Sequence, residues 1–377
     1  MASARESVHV AAAGLLLTAA LSSCVSPTKG PEMACVDQPR SGRAVGGTVA
    51  VVYSKHYHVN LGGFERMHSF DIHKYARIYR SLLAAGALSP QDVFVPEPVT
   101  DEQVLRVHTP KFLRSLGSSR TVGRYLEQPM IGKMPSKLTD AAVVDPFRHA
   151  TGGTLLAAKL ALRHGVAVTL AGGYHHAKPD AGEGFNIFND LAIAIRELQA
   201  RGQIRRALVV DLDVHQGNGT AVCFAGDDSV FTFSLHEGDI YPVPKATSDL
   251  DVELPPGTDD GAYLALLGRH LPAVLDEARP DLVLLQAGCD TLAGDPLARL
   301  AMTPAGIVRR DAMVIDECVR RGIPVAMTLG GGYKPDAWRA QAASILRTLV
   351  RHGGATRTVE RRYYGKGGLK HRMKGKG

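Results

Sequence analysis

No two cysteines in this chain are spaced as CxxC. The five present, at positions 24, 35, 223, 289 and 318, follow no framework spacing. A cysteine-built zinc knuckle is thereby excluded, and structural disulfides are not expected. No apolar run after residue 30 is long enough to span a bilayer. No GxGxxG opens a helix after the first strand-like run, so a nucleotide-binding Rossmann protein is a poor fit. There is no internal repeat and no interior low-complexity linker. Acid is scarce at one end only: residues 351–377 hold nine Lys or Arg and one Glu. The formal charge of +7 therefore belongs to that tail, and the body is close to neutral. Such a tail reads as a solvated end or as an arm that contacts anions. It does not support direct nucleic-acid binding by the body.

What is present suits burial of a full core. The chain has 377 residues, 45% hydrophobic and 21% charged, enough for one large α/β domain. Residues 1–45 read as a leader and linker. Within them VAAAGLLLTAALSSC is apolar or small and ends in Leu21-Ser22-Ser23-Cys24. This resembles a bacterial lipoprotein signal with Cys24 as the lipidated residue. Membrane contact would then come only through a lipid anchor in the cell envelope. A start at Met33 would instead leave the protein cytoplasmic. The expected catalytic domain covers 46–355, and 356–377 is a basic tail without expected structure.

Six apolar runs of strand length punctuate the domain: TVAVVYS (48–54), VAVTLAGG (166–173), ALVVDLD (207–213), SVFTFSL (229–235), LVLLQAG (282–288) and PVAMTLGGG (324–332). Helical spacing appears between them, in FDIHKYARIYRSLLAAG, TGGTLLAAKLALRHG and LAIAIRELQARG. Strands apolar on both faces and alternating with helices predict a single α/β domain. Its sheet would be mostly parallel and multi-stranded, with helices on both faces. Four of the runs end in GGYHH, DLDVHQGNG, AGCDTLAGD and LGGGY. Ligands of open α/β sheets gather beyond the carboxyl ends of strands, so these four loops are expected on one rim.

Side chains of an extended strand alternate, so Asp211, Asp213 and His215 could face the same way. Carboxylates held close repel unless a cation sits between them. Alone, a D-x-D-x-H triplet is as readily a set of helix caps. Asp290, directly after the run 282–288, adds a carboxylate on a second rim loop. It completes a two-aspartate, one-histidine set, the ligand number of a catalytic metal with an open position. Asp295, between Gly294 and Pro296, suits a turn better, and Cys289 reads as a core thiol. His175 and His176 are acid and base candidates, with Asp211 and Asn218 as partners for their far ring nitrogens. Phe185 could wall an apolar channel or simply pack. Tyr333, after three glycines, could donate to a developing oxyanion.

Together these motifs resemble the histone deacetylase superfamily, the arginase–deacetylase fold, from about residue 48 to about 350. GGYHHA, GEGFNIFND, VVDLDVHQGNGTA, FSLHEGDIYP, QAGCDTLAGDPLARLAMTPAGI and LGGGY stand in the family's order. VYSKHYHVNLGGFERMHSFD and DLDVHQGNG are most similar to the class IV branch and its bacterial relatives, and SDLDVELPPGTDD is also like the bacterial members. The resemblance implies that Asp213, His215 and Asp290 bind zinc. It also implies that His175 and His176 handle protons, backed by Asp211 and Asn218. Class I enzymes carry an acid at the Asn218 position, whereas the class IV pattern has Asn. Tyr333 matches the oxyanion-stabilising tyrosine, and Gly184 and Phe185 the acyl-lysine tunnel. Asp211, Asp213, His215, Ser234 and Leu235 match a potassium site. His68 and His108 fall in family-like segments and are given no catalytic role.

The implied reaction is hydrolysis of an acylated lysine or a related acylated amine, such as an acetylpolyamine. Two rivals remain: an arginase-like manganese hydrolase and a non-catalytic acyl-lysine binder.

Overall fold

Leu208 and Val210 are buried on one side of their strand, Ala207 and Val209 on the other. That alternation is the period of an extended chain, and apolar groups at both phases leave no solvent face. The computed structural model describes residues 49–63, 65 and 68–354. The leader with Cys24, the basic tail and the two expected domain boundaries fall outside those residues. Eight strands form one sheet: β1 (Ala50–Val52), β2 (Val93–Phe94), β3 (Val166–Thr169), β4 (Ala207–Asp211), β5 (Val230–Glu237), β6 (Leu250–Leu254), β7 (Leu282–Gln286) and β8 (Val325–Thr328). Their order is β2-β1-β3-β8-β7-β4-β5-β6, and every pairing is parallel.

All six apolar runs are strands, as their composition predicts. The sequence reading missed β2 and β6. The first is two residues long, and the second alternates Asp251 and Glu253 with apolar residues at the sheet edge, so neither forms an apolar run.

Helices cover both faces. Leu155 and Ala158 of α6 (Asp145–His164) and Leu191 and Ile195 of α7 (Asp190–Ala200) pack with Val209, Leu284 and Ala326. On the opposite face, α1 (Lys74–Ala84), α9 (Asp260–Ala278), α10 (Pro304–Arg321) and α11 (Trp338–His352) bring Ile78, Leu271, Ile315 and Ile345 against the sheet. Four short helices, α2 to α5 (Asp101–Val104, Pro110–Ser115, Ser119–Tyr125 and Ser136–Thr139), lie between β2 and α6, and α8 (Asn218–Cys223) follows β4. Among the described residues no helix is long and apolar enough to cross a membrane.

The strand order settles the rim. β3, β8, β7 and β4 are consecutive, so the four polar loops that follow them leave one edge of the sheet side by side. Two local signals help to fix them. Asn189 caps α7 by accepting the Ala192 N–H, which ends the GEGFNIFND loop. Thr303 caps α10, with Pro304 in its first turn, and ends the loop that begins at Asp290.

Candidate active site

In the β4–β7 ladder Asp211 stands opposite Gln286. Both strands end there, and their loops turn towards each other. His215 Nδ1 comes to rest 3.1 Å from Asp213 Oδ1 and 3.3 Å from Asp290 Oδ2. Asp213, His215 and Asp290 each offer one ligand atom, all within 4.8 Å of one another, and all three residues are buried.

The remaining oxygens are committed elsewhere. Asp213 Oδ2 accepts Gln286 Nε2 at 2.9 Å and the Gly331 N–H at 2.8 Å. Asp290 Oδ1 accepts the Val214 N–H at 2.9 Å. Gly331 is obligatory, because a Cβ there would run into the Asp290 carboxylate. Beneath both loops lies Arg310 of α10, fully buried. Its Nη1 donates to Leu212 O at 3.0 Å, Gly288 O at 2.8 Å and Thr291 Oγ1 at 3.1 Å, and it pairs with buried Asp311. One guanidinium thus ties the end of β4 to the end of β7.

Asp290 Oδ2 is buried without a hydrogen bond. Burial and the neighbouring Asp213 charge push the Asp290 carboxyl up. An orphaned carboxylate oxygen facing a second carboxylate and an imidazole is an arrangement that a cation between them would satisfy. Two oxygens and one nitrogen suit a divalent ion of the zinc, iron or manganese kind. The residues present therefore fit the metal that the motifs imply.

The tandem histidines flank this group. His175 Nδ1–H donates to Asp211 Oδ2 at 2.6 Å, and its Nε2 is 3.8 Å from Asp213 Oδ1. His176 Nδ1 lies within hydrogen-bond distance of Asn218 Oδ1, at 2.7 Å. Burial alone would lower both imidazoles. At His175 the Asp211 and Asp213 charges overcome it and raise the ring to about 9. At His176 burial prevails, reinforced by His175 and His215, and holds the ring well below its ordinary value. The Asp211 carboxylate behind His175, where His176 has the neutral Asn218, is one source of the difference, and the Asp213 charge beside His175 is another.

Tyr333 closes the opposite wall. Its ring centroid lies 6.2 Å from that of His215 and 6.0 Å from that of Phe185. Burial first, then Asp290, Asp213 and Asp295, raise its hydroxyl well above the usual range, so it stays a proton donor. Phe185, Phe70, His175, His176, Asp213 and Tyr333 line a common cavity. Phe185 takes φ = 67°, a conformation rare for a bulky side chain, and Gly184 precedes it at φ = 55°. A Cβ on Gly184 would meet the His176 ring at 2.6 Å.

The family model described as the histone deacetylase domain matches residues 68–349. An uncharacterized protein of Picosynechococcus is 43% identical over 71% of this chain and 87% of its own length. The protein named histone deacetylase 2 of Arabidopsis thaliana is 36% identical over 81% of this chain and 79% of its own. The chain belongs to the histone deacetylase family. The crystal structure of the HDA15 HD domain shares its fold, with a TM-score of 0.66 at 25% identity, over 83% of this chain and 94% of that one. The resemblance read from the motifs holds, and membership in the histone deacetylase family makes the protein a hydrolase of the deacetylase type.

His175, His176, Gly184, Phe185, Asp213 and Tyr333 line one cavity, and Asp211 and Asn218 stand behind the two histidines. His68 sets its ring against Phe185, with 4.5 Å between centroids, and both His68 and His108 are bonded to main-chain carbonyls. His68 Nε2–H donates to Leu126 O at 2.7 Å, and His108 Nδ1–H donates to Lys178 O at 3.0 Å. Cys289 is buried, with its thiol beside Gly331 O and Ala337 O. Asp211 and Ser234 are register partners in β4 and β5, with Leu235 next along the strand.

Sequence reasoning missed Gln286, Arg310 and Lys74. Lys74 is buried in α1, and its Nζ donates to Gly330 O at 2.6 Å and Gly331 O at 3.1 Å. Gln286 could have been suspected as the one polar group ending an apolar run. Arg310 and Lys74 sit in amphipathic helices, where a cation normally reads as solvent-facing. Asp190 was missed too. It accepts the Gly173 N–H at 2.9 Å and the Tyr174 N–H at 2.7 Å, and so holds the GGYHH loop.

Proposed function

We propose that the protein is a zinc-dependent amidohydrolase that removes acetyl or longer acyl groups from lysine side chains or related amines. The convergence of Asp213, His215 and Asp290 beside two histidines of opposite proton affinity carries this reading. The name of the Arabidopsis relative supports acetyl-lysine as the first substrate class to test.

Asp213, His215 and Asp290 would hold the ion. When bound, a divalent ion there polarises an amide carbonyl and acidifies water. His176, held neutral, takes the proton of the attacking water at Nε2. His175, held protonated against Asp211, keeps a positive charge beside the developing oxyanion. His176 then returns the proton to the departing amine nitrogen, which leaves as a neutral amine. The Tyr333 hydroxyl donates to the carbonyl oxygen as it gains charge. Gly184 and Phe185 flank the acyl-amine stem and exclude water from it.

Potassium is proposed at the set Asp211, Asp213, His215, Ser234 and Leu235, supported by the pairing of Asp211 with Ser234. The leader is proposed as a lipoprotein signal ending at Cys24, which mass spectrometry of the native N-terminus tests.

Rates across acetyl-, octanoyl- and myristoyl-lysine peptides and acetylspermidine, with and without chelation, test the reading. The expected result is hydrolysis of at least one, abolished by chelator, restored by zinc and blocked by a hydroxamate. No hydrolysis of any, with metal bound, would leave the acyl-lysine binder as the better account.

A further inference from the structure

Glu183 precedes the Gly184–Phe185 turn, and no catalytic argument has used it. Its Oε1 accepts Asn218 Nδ2–H at 2.9 Å and the Tyr241 hydroxyl at 2.6 Å. Its Oε2 accepts Lys178 Nζ at 2.6 Å. The loop that carries it is pinned by paired bridges, Lys178 with Ala181 and Glu183 with Asn186. Asn186 also accepts the His176 N–H at 2.9 Å. The same short turn therefore reaches His176 twice, through its main chain and, by way of Asn218, through its ring.

An asparagine behind a histidine is ambiguous. Its amide presents an oxygen or a nitrogen by turning half a revolution, and a neutral imidazole answers with either tautomer. A carboxylate removes the ambiguity, because it only accepts. Facing Glu183, Asn218 must aim Nδ2–H outwards, which aims Oδ1 at His176. The histidine must then carry its proton on Nδ1, which leaves the Nε2 lone pair free. An aspartate at 218 would impose this tautomer unaided; an asparagine needs a second acceptor behind it.

We propose that Glu183 is a positioning residue that fixes the Asn218 amide and, through it, the tautomer of His176. The consequence for catalysis rests on the hydrolase reading above, since only an unprotonated Nε2 takes a proton from water. The tautomer itself does not depend on that reading. Lys178 and Tyr241 hold the Glu183 carboxylate in place, which makes the tunnel-mouth turn and the proton-handling group one connected unit.

The test compares wild type, Glu183→Gln and Glu183→Gln/Asn218→Asp. A glutamine of the same shape both donates and accepts, so it releases the amide. An aspartate at 218 restores an acceptor-only partner. Long-range ring correlation spectra of the ¹⁵N-histidine-labelled, zinc-loaded protein read the tautomer directly. The expected result is Nδ1–H at His176 in wild type, a mixture with Nε2–H in Glu183→Gln, and Nδ1–H again in the double variant. In parallel, kcat for an acetyl-lysine peptide falls about 10-fold in Glu183→Gln, the size typical of losing an outer partner, and recovers in the double variant. A His176 tautomer that is Nε2–H in wild type, or unchanged by Glu183→Gln, overturns the proposal. An inactive wild type with the expected spectra counts against the hydrolase reading alone.

Discussion

The main-chain N–H of Tyr333 donates to Asp295 Oδ2 at 2.8 Å, and that of Lys334 donates to the same oxygen at 3.3 Å. Asp295 is the turn residue its Gly–Asp–Pro setting suggests, since Oδ1 accepts the Leu297 N–H at 3.0 Å. It is also the strut that aims the neighbouring LGGGY loop. Tyr333→Phe removes the hydroxyl itself and is expected to cost about 10²–10³ in kcat while leaving bound metal unchanged. Asp295→Ala is expected to lower kcat by a smaller factor, and to add little in the Tyr333→Phe background because both act through one hydroxyl. Steady-state kinetics with metal analysis of the four proteins check this. Independent, additive losses would contradict it.

Gln286 touches no proposed substrate, yet it donates to the oxygen of Asp213 that faces away from His215. Groups that orient a ligand typically tune affinity about 10–100-fold. Gln286→Leu is therefore expected to weaken zinc binding by about that factor. Competition against a chelating dye measures it. An unchanged affinity would show that Gly331 N–H alone orients the carboxylate.

Arg310 and Asp311 are both fully buried. Removing one partner of a buried pair strands the other charge, typically at about 3–5 kcal/mol. Arg310→Met is expected to lose stability of that order and to weaken metal binding as well, because the ends of β4 and β7 lose their common tie. Denaturant melts and a zinc titration read the two effects. A stable variant with intact zinc affinity would deny the tie any role.

His108 donates from Nδ1 to Lys178 O and accepts the Asn189 N–H at Nε2, 3.0 Å each. Burial pushes it from 6.5 down to about 4. The folded pKa lies below the unfolded one, so between these values the unfolded chain binds the extra proton. Stability from this group is whole above pH 6.5 and is lost as the pH falls towards 4, at up to about 1.4 kcal/mol per unit. His108→Asn should be less stable at pH 7 and should flatten that slope. Midpoints of urea unfolding at pH 7, 6 and 5 supply the comparison. A slope as steep in the variant as in wild type would assign the acid sensitivity elsewhere.

The fold was legible because burial on both faces leaves strands such as ALVVD and LVLLQ with no polar phase. The site was legible because its ligands follow those strands directly, and Asp290 meets Asp213 and His215 only because β4 and β7 are neighbours. β6 was not legible: an edge strand needs no apolar second face, and Asp251 and Glu253 disguise it. Nor were Lys74 and Arg310. Nothing in a helical pattern says that a cation will point inwards until the carbonyls it satisfies, at Gly330 and Gly288, are brought beneath it by other elements. Glu183 was quoted within a motif without a role, since its partner Asn218 is distant in sequence.

The central claim is that Asp213, His215 and Asp290 hold one divalent ion that deacylation needs. Metal content per chain, measured with acetyl-lysine peptide hydrolysis on wild type and Asp290→Ala, tests it most directly. The account predicts one zinc per wild-type chain, and parallel loss of metal and turnover in the variant. Full zinc occupancy in Asp290→Ala, or undiminished hydrolysis by metal-free wild type, would contradict it.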